Sequence, residues 1–137
     1  MFFKKLVALF LILLLGCVET KTPILTFEGG INQSKMQEIV NSIPSRYYKN
    51  VNEIIFVNWT FGHCYVYDKY GQQKCYQGWN EVKWDSQHKC YSGKIRLGKN
   101  ANRSLLVHEL GHIYEYCELK RDNSTEEFAE GFRISTY

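Results

Sequence analysis

The sequence predicts an α+β domain: a first helix, then a mostly antiparallel or mixed sheet of four or five strands, then two closing helices. Three observations predict it. Apolar residues recur at helical spacing after Ser34 and again in two segments after Asn100. Between Asn52 and Gly98 the apolar runs are instead short or alternating, with turn residues between them, as strands are. Of the 137 residues, 121 remain from Cys17 onward, enough for one compact domain and too few for two.

Residues 1–16 read as an export signal. Lys4 and Lys5 form a basic head, and the run from Leu6 to Gly16 is apolar and uncharged. A membrane-spanning helix needs about 20 such residues, so this run is too short for a permanent anchor. It ends in Leu14-Leu15-Gly16-Cys17, which is similar to the lipobox of prokaryotic lipoproteins. That resemblance implies a lipidated Cys17 and attachment to the outer face of the cell membrane. Cleavage by an ordinary signal peptidase, and secretion, is the alternative.

Residues 17–33, with Pro23 and the Gly29-Gly30 pair, read as a linker or an extended lead-in, and residues 34–137 as the domain proper. Ser34 with Gln37 forms a capping box, and Met36, Ile39, Val40, Ile43 and Tyr47 mark the apolar face of the first helix, which Pro44 bends or ends. Asn52 to Trp59 is apolar on both alternating faces, as a central strand covered on both sides should be. Asn80 to Asp85 is a further strand candidate. Gly93 to Gly98 alternates Ile95 and Leu97 with Lys94 and Arg96, which fits a half-exposed strand.

Cysteine parity supports export. With Cys17 removed or lipidated, Cys64, Cys75, Cys90 and Cys117 remain, an even set for which an oxidising compartment predicts two bridges. Cys64 and Cys75 flank the turn-like Asp68 to Gly71 symmetrically, so a hairpin there sets them roughly opposite each other. Cys90 is then left for Cys117. Four Asn-x-Ser/Thr sequons, at Asn32, Asn58, Asn102 and Asn123, permit glycosylation in a suitable host. The net charge of +3 includes Lys4 and Lys5, and the other charges are scattered, so no nucleic-acid footprint is present.

The chemistry concentrates in "LLVHELGHIYEYC", residues 105–117. Asn100 or Asn102 can cap this helix. Leu106, Leu110, Ile113 and Cys117 form a stripe to pack on the sheet, and Gly111 permits close approach. His108 and His112 stand one turn apart, side by side, and Glu109 is turned about 100° from His108 but only about 60° from His112. Two imidazoles so placed supply neighbouring nitrogens, and a carboxylate from another element would complete a three-ligand site for a zinc ion, Zn2+, with one position left open. Glu109 is then placed as a general base beside the open position. Downstream, Ser124 with Glu127 makes a second capping box. Glu126, Glu127 and Glu130 are the candidate carboxylates, while Phe128 and Phe132 share a different face that can be buried.

At these residues the sequence resembles the zincin metallopeptidases of the gluzincin type, whose pattern is His-Glu-x-x-His followed by a glutamate on the next helix. "EEFAEGFR", Glu126 to Arg133, resembles in particular the segment that carries the third ligand in the anthrax lethal factor catalytic domain and its relatives. The match covers roughly residues 93–134. It implies a zincin-like fold and hydrolysis of peptide bonds, with His108, His112 and Glu126 as zinc ligands. It also implies Glu109 as the general base and Glu130 as the group orienting His108. Thirteen residues separate His112 from Glu126, a tight return like that of the minimal gluzincins. Where the lethal factor pattern has an oxyanion-stabilising tyrosine this chain has Leu119, and Tyr114, Tyr116 and Tyr137 are the candidates to replace it. His63 and His88 fall outside the pattern and read as surface or core residues.

The expected function is a secreted or surface-attached zinc endopeptidase, acting as a monomer on a peptide or protein substrate. A reading from another class is a non-catalytic surface binding module with zinc as a structural staple. Glu109 argues against it, because a structural site fills its four positions with protein and has no use for a base. A secreted metalloprotease toxin would share the chemistry and differ in target.

Overall fold

The computed structural model describes residues 22–58, 66–67, 73–74, 78–87, 89–121 and 125–136. The chain enters through strand β1 (Ile24–Glu28) and helix α1 (Gln33–Asn41), then takes a 3-10 turn over Ser45–Tyr48 into strand β2 (Glu53–Val57). Two short strands, β3 (Val66–Tyr67) and β4 (Gln73–Lys74), precede β5 (Gly78–Trp84) and β6 (Cys90–Leu97). Two helices close the chain, α2 (Arg103–Cys117) and α3 (Glu126–Ser135).

The main sheet is mixed, with the order β1-β2-β6-β5. β1 runs parallel to β2 and β2 parallel to β6, whereas β5 pairs antiparallel with β6 and forms one edge. The lead-in expected over residues 17–33 is therefore in part a sheet strand. Ile24 to Glu28 pairs residue by residue with Glu53 to Val57. Only pairing with a segment some thirty residues away reveals this, because Ile24-Leu25-Thr26-Phe27-Glu28 is too short to show a clear period.

Helix starts also differ from expectation. Asn32, not Ser34, caps α1: its Oδ1 accepts from the Lys35 N–H at 3.0 Å, and the Gln37 amide donates forward to Asn41. Thr125 caps α3 in place of Ser124, its Oγ1 accepting from the Phe128 N–H at 3.1 Å. Glu127 sits in the first turn, and Ser124, its expected capping-box partner, lies outside the described residues. Asn102 caps α2 through Leu105 N–H, one of the two asparagines expected for the role.

One core joins these layers. Ile54 and Phe56 of β2 and Ile95 and Leu97 of β6 meet Met36 and Val40 of α1 and Leu106, Leu110 and Ile113 of α2. Ile55 and Val57, which point to the other side of β2, are buried as well, so β2 is covered on both faces as a central strand should be. The Tyr48 hydroxyl is buried and donates to the Val40 carbonyl, closing the turn after α1 on that helix. Cys90 and Cys117 are disulfide-bonded, with their Cα atoms 5.5 Å apart, which ties the start of β6 to the last residue of α2. β3 and β4 pair antiparallel, Val66 with Lys74 and Tyr67 with Gln73, and the turn expected at Asp68 to Gly71 lies outside the described residues. Cys17, Cys64, Cys75, His63, His88 and Tyr137 lie outside the described residues. No helix among the described residues is long and apolar enough to cross a membrane.

Candidate metal centre

Helix α2 carries the histidine pair and α3 supplies the carboxylate. Gly111 sets how closely they approach: a Cβ there would stand 3.1 Å from both Ala129 Cα and Phe132 Cβ. The close approach expected of Gly111 is thus made to α3 rather than to the sheet. At α3's first residue, Glu126 reaches back across this contact. Its Oε2 lies 3.0 Å from His108 Nε2, and its Oε1 lies 3.3 Å from His112 Nε2. The two imidazoles present Nε2 to Nε2 at 3.2 Å.

A four-coordinate ion bound at 2.0–2.1 Å requires donor atoms about 3.3 Å apart, the edge length of the corresponding tetrahedron. The two histidine nitrogens lie near that spacing, at 3.2 Å, and each has a different Glu126 oxygen beside it, Oε2 for His108 and Oε1 for His112. His108, His112 and Glu126 could therefore hold a metal ion, with one donor atom from each within 4.8 Å of the others. The Glu126 side chain is 71% exposed, so the site opens on solvent on that side. Burial holds the His112 imidazole below its ordinary value, against the pull of the Glu126 carboxylate, so His112 favours the neutral form a metal needs.

Glu109 stands apart from the three. It is 5% exposed and turned toward β5, where Asn80 Nδ2 donates to its Oε2 at 2.7 Å. Burial pushes its carboxyl upward from the ordinary value, and the Asn80 hydrogen bond opposes that shift. Gly78 lies directly beneath it: a Cβ there would come within 2.6 Å of Glu109 Oε1.

Glu130 is one turn beyond Glu126, with Oε2 3.7 Å from His108 Nδ1. That distance is too long for a hydrogen bond. Arg133 holds Glu130 instead, donating from Nε to Oε2 at 2.9 Å and from Nη2 to Oε1, and its Nη1 donates to Ser104 Oγ on α2 at 3.1 Å. The guanidinium holds the Glu130 carboxyl below its ordinary value. Arg133 therefore links α3 to the start of α2 one turn before His108.

Asn80, Glu115 and Arg133 also shape the site, and the contacts Asn80–Glu109, Glu115–Thr125 and Arg133–Ser104 span distances that no sequence period marks. Glu115 is wholly buried on α2 and accepts from Arg121 Nη1 and from the Thr125 N–H, both at 2.9 Å. The one sequence signal for it was its place amid the apolar residues of α2. Of the candidate tyrosines, Tyr114 stacks on Phe128 and meets Phe132 at a tilt, and Tyr116 meets Trp84 edge-on. Phe128 and Phe132 are half-buried in that cluster, and Phe132 also packs against the core. Comparison with protein-family models, curated proteins and solved structures finds no match to this chain.

Proposed function

We propose that this chain is a zinc-dependent endopeptidase of the zincin type, exported and either secreted or held at the membrane by a lipidated Cys17. The observation that carries the proposal is the convergence of two histidine nitrogens and the Glu126 carboxylate, one donor atom from each within 4.8 Å of the others, with a buried Glu109, oriented by Asn80, next to His108 in the motif helix. Two imidazoles and one carboxylate form a donor set well suited to zinc, and three protein ligands leave the open position that catalysis requires. A bound zinc ion would polarise the substrate carbonyl and lower the pKa of a water to about 7.

The chain's own residues do the rest. His108, His112 and Glu126 would hold the ion from two helices, and Arg133, bonded to Glu130 on α3 and to Ser104 on α2, ties those helices together. Glu109 takes one proton from the attacking water as its oxygen bonds to the carbonyl carbon. It returns that proton to the nitrogen as the C–N bond breaks. Edge strand β5 offers a main-chain edge beside the site, along which an extended peptide can pair with little dependence on its side chains.

The test is a cleavage assay on an unbiased peptide library with the metal-stripped and zinc-loaded protein, alongside Glu109→Gln. Cleavage that requires zinc, and falls by about two to four orders of magnitude in Glu109→Gln while zinc stays stoichiometric, supports the reading. Zinc binding with no cleavage of any peptide favours a structural site instead.

A further inference from the structure

The strand beside the site grips the motif glutamate at two points. Alternation along β5 puts Trp79 and Asn80 on opposite faces: Trp79 is 49% exposed opposite Arg96, whereas Asn80 pairs with the buried Ile95 and faces α2. From that inner face its amide donates to Glu109 Oε2 at 2.7 Å. Two residues earlier on the same face, Gly78 leaves room for the carboxylate to lie flat against the strand. A Cβ at 78 would stand 2.6, 3.0 and 3.1 Å from Glu109 Oε1, Cδ and Cγ, so every other side chain would displace the whole carboxylate.

These contacts answer two physical demands. A carboxylate that is 5% exposed needs a hydrogen-bond donor to remain inside at all. Glutamate also has three side-chain torsions, and a proton acceptor that wanders among rotamers spends little time in a reactive geometry. An asparagine meets both demands without adding charge, whereas an aspartate at this position would set two carboxylates against each other.

We propose that Asn80 is a positioning residue: its amide, with the bare backbone of Gly78, holds the Glu109 carboxylate in one orientation. Its catalytic consequence rests on the endopeptidase reading. The grip itself does not. Both can therefore be measured apart.

The grip is tested in the metal-free protein by the NMR signal of the Asn80 side-chain amide. A proton bonded to a buried carboxylate is shifted and slow to exchange, and Glu109→Ala should return it to the behaviour of an exposed asparagine. An amide signal indifferent to Glu109→Ala overturns the proposal, whether or not any peptide is cleaved. The consequence is tested with Asn80→Ala and the equal-sized Asn80→Asp in the zinc-loaded protein. Each should keep its zinc and its KM while kcat falls about 10- to 100-fold, the usual cost of losing such a supporting contact. Adding Asn80→Ala to Glu109→Gln should then cost nothing more, because Asn80 acts only through the group already lost. An unchanged kcat, or a full additional loss in the double variant, overturns the positioning role. If the amide responds as expected but the zinc-loaded parent cleaves nothing, the grip stands and the endopeptidase reading falls.

Discussion

Glu115 Oε2 accepts a hydrogen bond from the Thr125 N–H at 2.9 Å, which joins the buried side of the motif helix to the residue immediately before Glu126. The other carboxylate oxygen takes Arg121 Nη1, so a single buried group anchors both ends of the return between the helices. Thirteen residues suffice between His112 and Glu126 because this anchor starts α3 where Glu126 can face the histidines. Glu115→Ala should destabilise the fold by about 1–3 kcal/mol, since it leaves a donor unpaired, and should also weaken zinc binding. Denaturant unfolding and a zinc titration of the same variant measure the two effects. Parental zinc affinity in a folded Glu115→Ala would show that the anchor does not set the ligand.

Geometry rather than helix periodicity favours one carboxylate for the proposed metal site. Glu126 is within 3.3 Å of both histidines, whereas Glu130 is 3.7 Å from one ring and held by Arg133. Glu126→Ala should abolish tight zinc binding. Glu130→Ala should weaken affinity or activity by only about 10- to 100-fold, and Arg133→Ala should behave like it. Metal analysis showing full zinc in Glu126→Ala and none in Glu130→Ala would reverse the assignment.

The disulfide between Cys90 and Cys117 fastens the far end of the motif helix to β6. Peptide mapping of the unreduced protein should recover a Cys90–Cys117 pair, and parity leaves Cys64 with Cys75 as the second. Replacing both Cys90 and Cys117 by serine should cost about 2–4 kcal/mol of stability without removing any zinc ligand. A peptide joining Cys64 to Cys117 would contradict the first pair.

Two surface carboxylates make stability depend on acid. Glu53 is held below its ordinary value of 4.5 by hydrogen bonds from Thr26 and Lys94, and Glu118 is held below it by one from Asn50. Between the native and ordinary values the unfolded chain binds more protons. Stability therefore rises with pH in that window, is fully present above 4.5, and is lost as pH falls through the lowered native values. Glu53→Gln and Glu118→Gln should each flatten this acid limb relative to the parent. The change should be about 0.2–1 kcal/mol, as for partly exposed pairs. Urea midpoints across the acid range read it, and an unchanged slope would show that these contacts do not persist in solution.

What the sequence determined by itself is what a helix's own geometry dictates. His108 and His112 stand side by side because four residues make about one turn, and that holds before any packing is known. Asn102 could be marked as one of two candidate caps, and the central strand could be read from an apolar run between turns, for the same local reason. The tertiary structure alone decided the rest. Asn80 meets Glu109 across 29 positions and Glu115 meets Thr125 across 10, through single hydrogen bonds that leave no periodic trace. Ile24 to Glu28 became a strand only because β2 offers it a parallel edge. Thr125 is the cap of α3, and its N–H donates to the buried Glu115. Periodicity fixes which face of an element a side chain occupies; which distant group meets it there depends on how the elements pack, and that is settled by the whole core at once.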